Sequence, residues 1–247
     1  MIFHIRATFA TAHRILQQLS HDHRTLVLIF VVPCFLMWLL SWMFEDNQVM
    51  FRSIAPPLLA VFPMSIMFLI TSIATLRERT TGTLERILTL PIAKSDFIFG
   101  YAIAFGFIAI LQASLVATIS LKFLGVEIEG PDSMLVLVAL VDALLGVALG
   151  LLASAFARTE FQAVQFMPAI LFPQFLLCGL IVPLSSMPDF LESIARFLPL
   201  TYAVEAMQNI TVETTTSSET WQSILIVISW VIAALILGSL TLRRKSK

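Results

Sequence analysis

Charge and cysteine are what this chain has least of. Of its 247 residues 13% are charged, against about 25% in an ordinary soluble domain, and the formal net charge is −1. A basic surface for nucleic acid and a charged shell around a soluble core are both excluded. The only cysteines, Cys34 and Cys178, lie inside apolar runs, where each reads as a small buried hydrophobe and no disulfide framework is implied. No Gly-x-x-x-x-Gly-Lys-Ser/Thr run occurs, so the chain has no phosphate-binding loop for ATP. Nor does any apolar segment hold His-Glu-x-x-His, Gly-x-Ser-x-Gly or a pair of acids, which removes the grounds for an intramembrane enzyme. The four histidines, His4, His13, His21 and His23, crowd one segment without a thiolate or carboxylate cluster beside them, and read as a solvated basic face with no metal site.

What is abundant is apolar: 58% of the chain, with a mean hydropathy of +0.93. The fold class expected is an all-α polytopic membrane protein. Six apolar segments are each long enough to cross about 30 Å of hydrocarbon at 1.5 Å per residue, near 26–44, 54–76, 97–126, 134–157, 161–182 and 221–242. Before them, in residues 1–24, Ile2, Ile5, Phe9, Ala12, Leu16 and Leu19 recur at spacings of three and four, the pattern of an amphipathic helix in the headgroup layer. A cleaved signal fits poorly: the polar lead is long and no small-x-small site follows the first apolar run. Residues 25–242 form the membrane domain and 243–247 a basic tail.

Orientation follows from Lys and Arg, which short cytoplasmic loops retain. With the N-terminus inside, Arg6, Arg14, Arg24, Arg77, Arg79, Arg86, Lys94, Arg158, Arg243, Arg244, Lys245 and Lys247 are cytoplasmic, and only Arg52, Lys122 and Arg196 lie outside. Both termini are therefore expected in the cytoplasm of a multi-pass cell-membrane protein.

Within the spans, Gly146-x-x-x-Gly150-x-x-x-Ser154 sets small residues on one stripe for close helix packing. Pro33, Pro63, Pro168 and Pro173 interrupt backbone hydrogen bonding in the first, second and fifth spans. Asp142 is the one acid inside a span; such a group faces a bundle interior or a cavity, and with Gln112 it is a candidate for the substrate path. Outside, residues 183–220 read as a helical hairpin dipping into the outer leaflet. Pro188 and Asp189 open a short helix carrying Phe190, Pro199 ends it, and a second helix capped by Thr201 carries Tyr202 and Glu205.

The long charged interruption, Leu76 to Phe97, is the chain's one polar insert between early spans. Gly82 breaks the extension of the second span, and Thr83 caps a short helix with Glu85 in its first turn. Leu84, Ile87 and Leu88 share a face, Arg86 joins Glu85 on the rim, and Pro91 stops the helix. A greasy face with a charged rim suits a groove on a soluble partner.

The run from Arg77 through Ile92, with its Gly82-Thr83-Leu84-Glu85 core and Pro91, resembles the signature of the ABC-2 type permeases, membrane subunits of ATP-binding-cassette exporters. The stretches 150–158 and 187–206 agree with it. The resemblance implies that Arg77, Glu78, Arg79, Gly82, Thr83, Leu84, Glu85, Arg86, Leu88 and Pro91 form a coupling segment against a separate ATPase. It also implies that Pro188, Phe190, Pro199, Tyr202 and Glu205 belong to re-entrant helices at the exit. ATP and Mg would be held by two copies of that ATPase, and none by this chain, which would be a non-enzymatic subunit paired with a second permease copy or close relative among membrane lipids. Amphiphilic drugs, lipids or lipid-linked glycans would be the cargo. The alternative is a secondary transporter with an ion site at Asp142; no internal repeat of the kind common in such transporters is visible.

Overall fold

A computed structural model describes residues 2–81 and 94–241. The described residues form helices joined by short turns: α1 (Ile2–His21), α2 (His23–Met43), α3 (Gln48–Thr80), α4 (Lys94–Phe123), α5 (Asp132–Phe156), α6 (Glu160–Leu177), a 3-10 turn (Leu184–Ser186), α7 (Asp189–Phe197), α8 (Pro199–Val212) and α9 (Ser218–Thr241). Five of them, α2, α3, α4, α5 and α9, are long and apolar enough to cross a membrane.

Local chemistry sets the breaks. Asp22 separates α1 from α2 by accepting the Thr25 backbone N–H at 3.2 Å and its hydroxyl at 2.6 Å; these bonds hold its carboxyl below the usual carboxylate range. Asn47 caps α3 in the same way, accepting from the Met50 N–H at 3.2 Å. The connection between α2 and α3 is therefore only four residues, and Arg52, expected in a loop, lies on an N-terminal extension of α3 where it pairs with Glu127 at 2.5 Å. Pro56, Pro57 and Pro63 all sit inside α3 without ending it. Helix α6 stops at Leu177, short of the expected 182, and Gly179 follows with φ of 88°, a left-handed turn that favours glycine.

The centre is α3 against α5. In these two helices 61% and 72% of the most apolar stretch is buried, against 17% in α2 and 22% in α9, which places the latter pair at the periphery. A Cβ on Gly146 would enter the van der Waals shell of the Met64 carbonyl oxygen, and one on Gly150 would lie 2.6 Å from that of Phe68. Four residues on one helix match four on the other, so α3 and α5 run parallel and in register, with the small-residue stripe seated inside the chain. Helix α1 lays Ala12, Ile15 and Leu19 against α4 as a buried face.

Candidate functional site

Helix α3 closes on three consecutive charged residues, and each grips a different element. Arg77 donates to both carboxylate oxygens of Glu160, at 2.7 and 3.1 Å, tying α3 to the first turn of α6. Glu78 accepts from Arg14 at 3.1 Å, tying it to α1. Arg79 donates to the Ser154 carbonyl oxygen near the end of α5. Successive helical side chains diverge by about 100°, so a run of three reaches three neighbours where a salt bridge at i and i+4 would reach one. Tyr101 of α4 stands buried beside the Arg14–Glu78 pair, its ring tilted against those of Phe97 at 4.6 Å and Phe105 at 6.1 Å between centroids.

Thr80 and Thr81 finish the helix. Their hydroxyls donate back to the Leu76 and Arg77 carbonyls, at 3.2 Å from Thr80 to either and 2.8 Å from Thr81 to Arg77, satisfying acceptors that the end of a helix leaves free. The chain beyond, with Gly82, Thr83, Leu84, Glu85, Arg86, Leu88 and Pro91, lies outside the described residues, as does the basic tail at 243–247.

Deeper in the bundle, Gln112 and Asp142 are both fully buried within the single chain. Gln112 donates its side-chain amide to the Ile29 carbonyl of α2 at 2.8 Å. That carbonyl is the one Pro33 cannot serve, having no N–H four residues on, so Gln112 fills a bond the proline removes. Asp142 sits one turn from Gly146 on the stripe that meets α3, and neither of its oxygens has a partner among the described residues. The hydroxyls of Thr71 and Thr75, on α3, are likewise buried and unpartnered. Buried, unpartnered polar groups thus sit at two levels of the bundle: Asp142 toward the start of α5, and Thr71 and Thr75 toward the end of α3.

On the opposite side, α7 and α8 form a bent pair. Thr201, expected to cap the second helix, lies inside it: the helix starts at Pro199, whose missing N–H costs nothing in the first turn. The Thr201 hydroxyl instead donates to the Ala195 carbonyl at 2.7 Å and that of Tyr202 to Arg196 at 2.6 Å, so the start of α8 caps the end of α7. Pro199 therefore joins the two helices as well as ending the first. Helix α8 is buried along Leu200, Ala203, Val204, Met207 and Ile210, while α7 leaves Phe190 and Phe197 exposed. Glu205 accepts from Ser223 of α9 at 3.5 Å. Gly130 and Glu129 donate their N–H groups to Ile210 and Thr211 carbonyls at 3.0 and 3.2 Å, fastening α8 to the approach to α5. Among the described residues there is no cluster of three or more His, Cys, Asp or Glu that could hold a metal ion.

These features define a multi-span helical membrane protein with polar interactions concentrated at one end of its central helix. Residues 6–212 match the family model of the ABC-2 type transporter, and the chain belongs to that family. It is 28% identical to ABC transporter G family member 20 of Dictyostelium discoideum over 82% of this chain and 28% of that protein. It is 27% identical to the probable multidrug ABC transporter permease YbhS of Escherichia coli K12, over 64% of this chain and 42% of the relative. The linearmycin resistance permease protein LnrN of Bacillus subtilis is 28% identical over 55% of this chain and 35% of its own length. The chain spans less than half the length of each of these relatives.

Proposed function

We propose that the chain is the membrane subunit of an ATP-binding-cassette exporter, moving an amphiphilic substrate outward at the expense of ATP hydrolysed by a separate ATPase. In this reading six segments cross, α6 being the fifth, both termini are cytoplasmic, and two ATPases serve two permease copies. The observation that carries it is the grip of Arg77, Glu78 and Arg79 on α6, α1 and α5. A push delivered to the segment after Thr81 reaches the two central helices and the interfacial helix through polar contacts of fixed geometry, and needs no flexible linker. The chain's own part is mechanical: α3 receives the displacement, Arg79 passes it to α5, Arg77 to α6 and Arg14 takes it from Glu78 into α1. The bent α7–α8 pair, fixed to α5 and α9, yields at the outer end. Relatives whose names include multidrug permease and linearmycin resistance permease support an amphiphilic cargo.

The test uses inside-out vesicles carrying the permease with and without a co-expressed phosphate-loop ATPase. Expected is uptake of a fluorescent amphiphile only with ATPase and ATP together, with loss of both capture and uptake in Leu84→Asp and Glu85→Ala. Uptake driven by a proton or sodium gradient with no ATPase, abolished by Asp142→Asn, would replace this reading with an ion-coupled transporter.

A further inference from the structure

Helix α1 has three faces, and the function above accounts for two of them. Ala12, Ile15 and Leu19 are buried on α4, and Arg14 is fixed to Glu78. Those contacts set the rotation of the helix, so its remaining face has a defined direction. That face carries Ile5 and Phe9, 51% and 59% exposed, alongside exposed Arg6, His13 and Gln17. Arg6 and His13 are seven residues apart, hence nearly superimposed on the helix surface and about 10 Å apart along it. Residues 2–21 contain no Asp or Glu; Asp22, in the turn that follows, is the strip's one acid, and its carboxylate is engaged by Thr25. Arg24, exposed at the start of α2, extends the basic strip past the turn, and none of Arg6, His13 and Arg24 has an acidic partner within salt-bridge distance among the described residues. Two bare apolar side chains beside a net basic row match the two halves of an acidic lipid: acyl chain under Ile5 and Phe9, headgroup against Arg6 with Arg24 beyond the turn.

We infer that the outward face of α1, from Ile5 to Gln17, together with Arg24 at the start of α2, binds anionic phospholipid headgroups of the cytoplasmic leaflet. The leaflet assignment rests on the orientation proposed above; the lipid chemistry does not. Charge complementarity selects the occupant. The negative surface potential of that leaflet attracts each basic side chain near it, and the exposed apolar pair requires a surface with a hydrocarbon side. Bound lipid would hold α1 flat, and through Arg14–Glu78 would bias the end of α3.

The experiment is native mass spectrometry of the full-length purified chain, titrated separately with phosphatidylglycerol and phosphatidylcholine of the same acyl chains. Expected is tighter binding of phosphatidylglycerol, with the preference reduced about fivefold by Arg6→Gln and by a further factor of that order in Arg6→Gln/Arg24→Gln, since each basic group near an anionic surface contributes comparably. Arg6→Lys should keep the preference, as should Arg52→Gln on the other side. Equal binding of the two lipids by the wild type, or a preference untouched by Arg6→Gln/Arg24→Gln, overturns the inference. Loss of ATPase co-purification in Arg6→Gln with lipid preference intact overturns it as well, and assigns the face to a protein. Because both lipids are added to solubilised protein, failure here leaves the orientation standing. Impermeant-maleimide labelling of Gln17→Cys from outside intact cells would overturn the orientation and leave the lipid result standing.

Discussion

At Gln112 a single side chain repairs what a single proline breaks. The Ile29 carbonyl would be a buried orphan without it, and a buried unsatisfied acceptor costs about 1 to 3 kcal/mol. Gln112→Leu incurs that cost but also removes the glutamine's own Oε1, which is buried without a partner among the described residues, so it should lower thermal stability in detergent by less than that amount. The same change in a Pro33→Ala background should cost much less, because the substituted alanine supplies the N–H that proline lacks. A double-mutant cycle on the unfolding midpoint reads this directly, and strictly additive effects would show that the two residues act independently. The glycines of α5 give a second contrast. Gly146→Ala forces a methyl into a backbone carbonyl that cannot rotate away, whereas Gly106→Ala, in α4, meets Leu144 Cδ2 at 3.2 Å, the far end of a movable side chain. Gly146→Ala should cost about 1 to 3 kcal/mol and Gly106→Ala clearly less, in the same melting assay.

Between elements the energies are smaller and the geometry matters more. Arg77 and Glu160 are each about half exposed, so their pairing contributes only about 0.2 to 1 kcal/mol to stability. Hydrogen bonds from Arg77 hold the Glu160 carboxyl below the usual carboxylate range, with partial burial opposing them. A folded-state value below the unfolded one stabilises at pH above the ordinary carboxylate range and loses that contribution as pH falls through the lowered value. The stability gap between wild type and Glu160→Gln should thus be present at neutral pH and close below about pH 4. Its effect on transport should be larger than on melting: Arg77→Glu should impair uptake while leaving the melting point within a few degrees, and Arg77→Glu/Glu160→Arg should restore it. If the swap restores nothing, the pair does not carry the displacement.

The same scale shows what is legible in the sequence. The 3.6-residue pattern of α1, the apolar stretches of α2, α4, α5 and α9, and the small-residue stripe of α5 are local properties, and spacing exposes them. The three grips at the end of α3 are not local: Arg77–Glu160 and Gln112–Ile29 each join residues 83 positions apart, and no periodicity encodes such a pairing. The resemblance assigns Arg77, Glu78 and Arg79 to the coupling segment; the structure adds that each has a partner in another helix of the same chain. Arg52 and Thr201 fall elsewhere than expected. Each has a polar side chain that suits a loop or a cap, and a neighbour in sequence, Asn47 for one and Pro199 for the other, begins the helix earlier.

For the molecule as a whole the parity of its crossings decides which surfaces share a compartment. Helix α6 is the deciding element: it has 18 residues, just enough for about 27 Å of rise, but Gln162, Gln165 and Gln174, with Pro168 and Pro173, dilute its apolar character. If it crosses, Arg158 and Thr159 before it lie on the α1 side and Ser185 after it lies outside with α7 and α8. The N–H groups of Glu129 and Gly130, just before α5, bond α8 at the end of the bundle away from Arg79 and Ser154, so α6 carries the chain from one end of the bundle to the other. The lysine and arginine distribution and the outward-facing Phe190 and Phe197 favour a crossing. Native Cys34 lies in α2 and Cys178 is buried, so both should resist a membrane-impermeant maleimide and leave a clean background for single cysteines. Intact cells should then label Ser185→Cys but neither Thr159→Cys nor Gln17→Cys, and permeabilised cells should label all three. Labelling of Thr159→Cys and Ser185→Cys from one and the same side would remove α6 from the count and reverse the side assigned to everything after it.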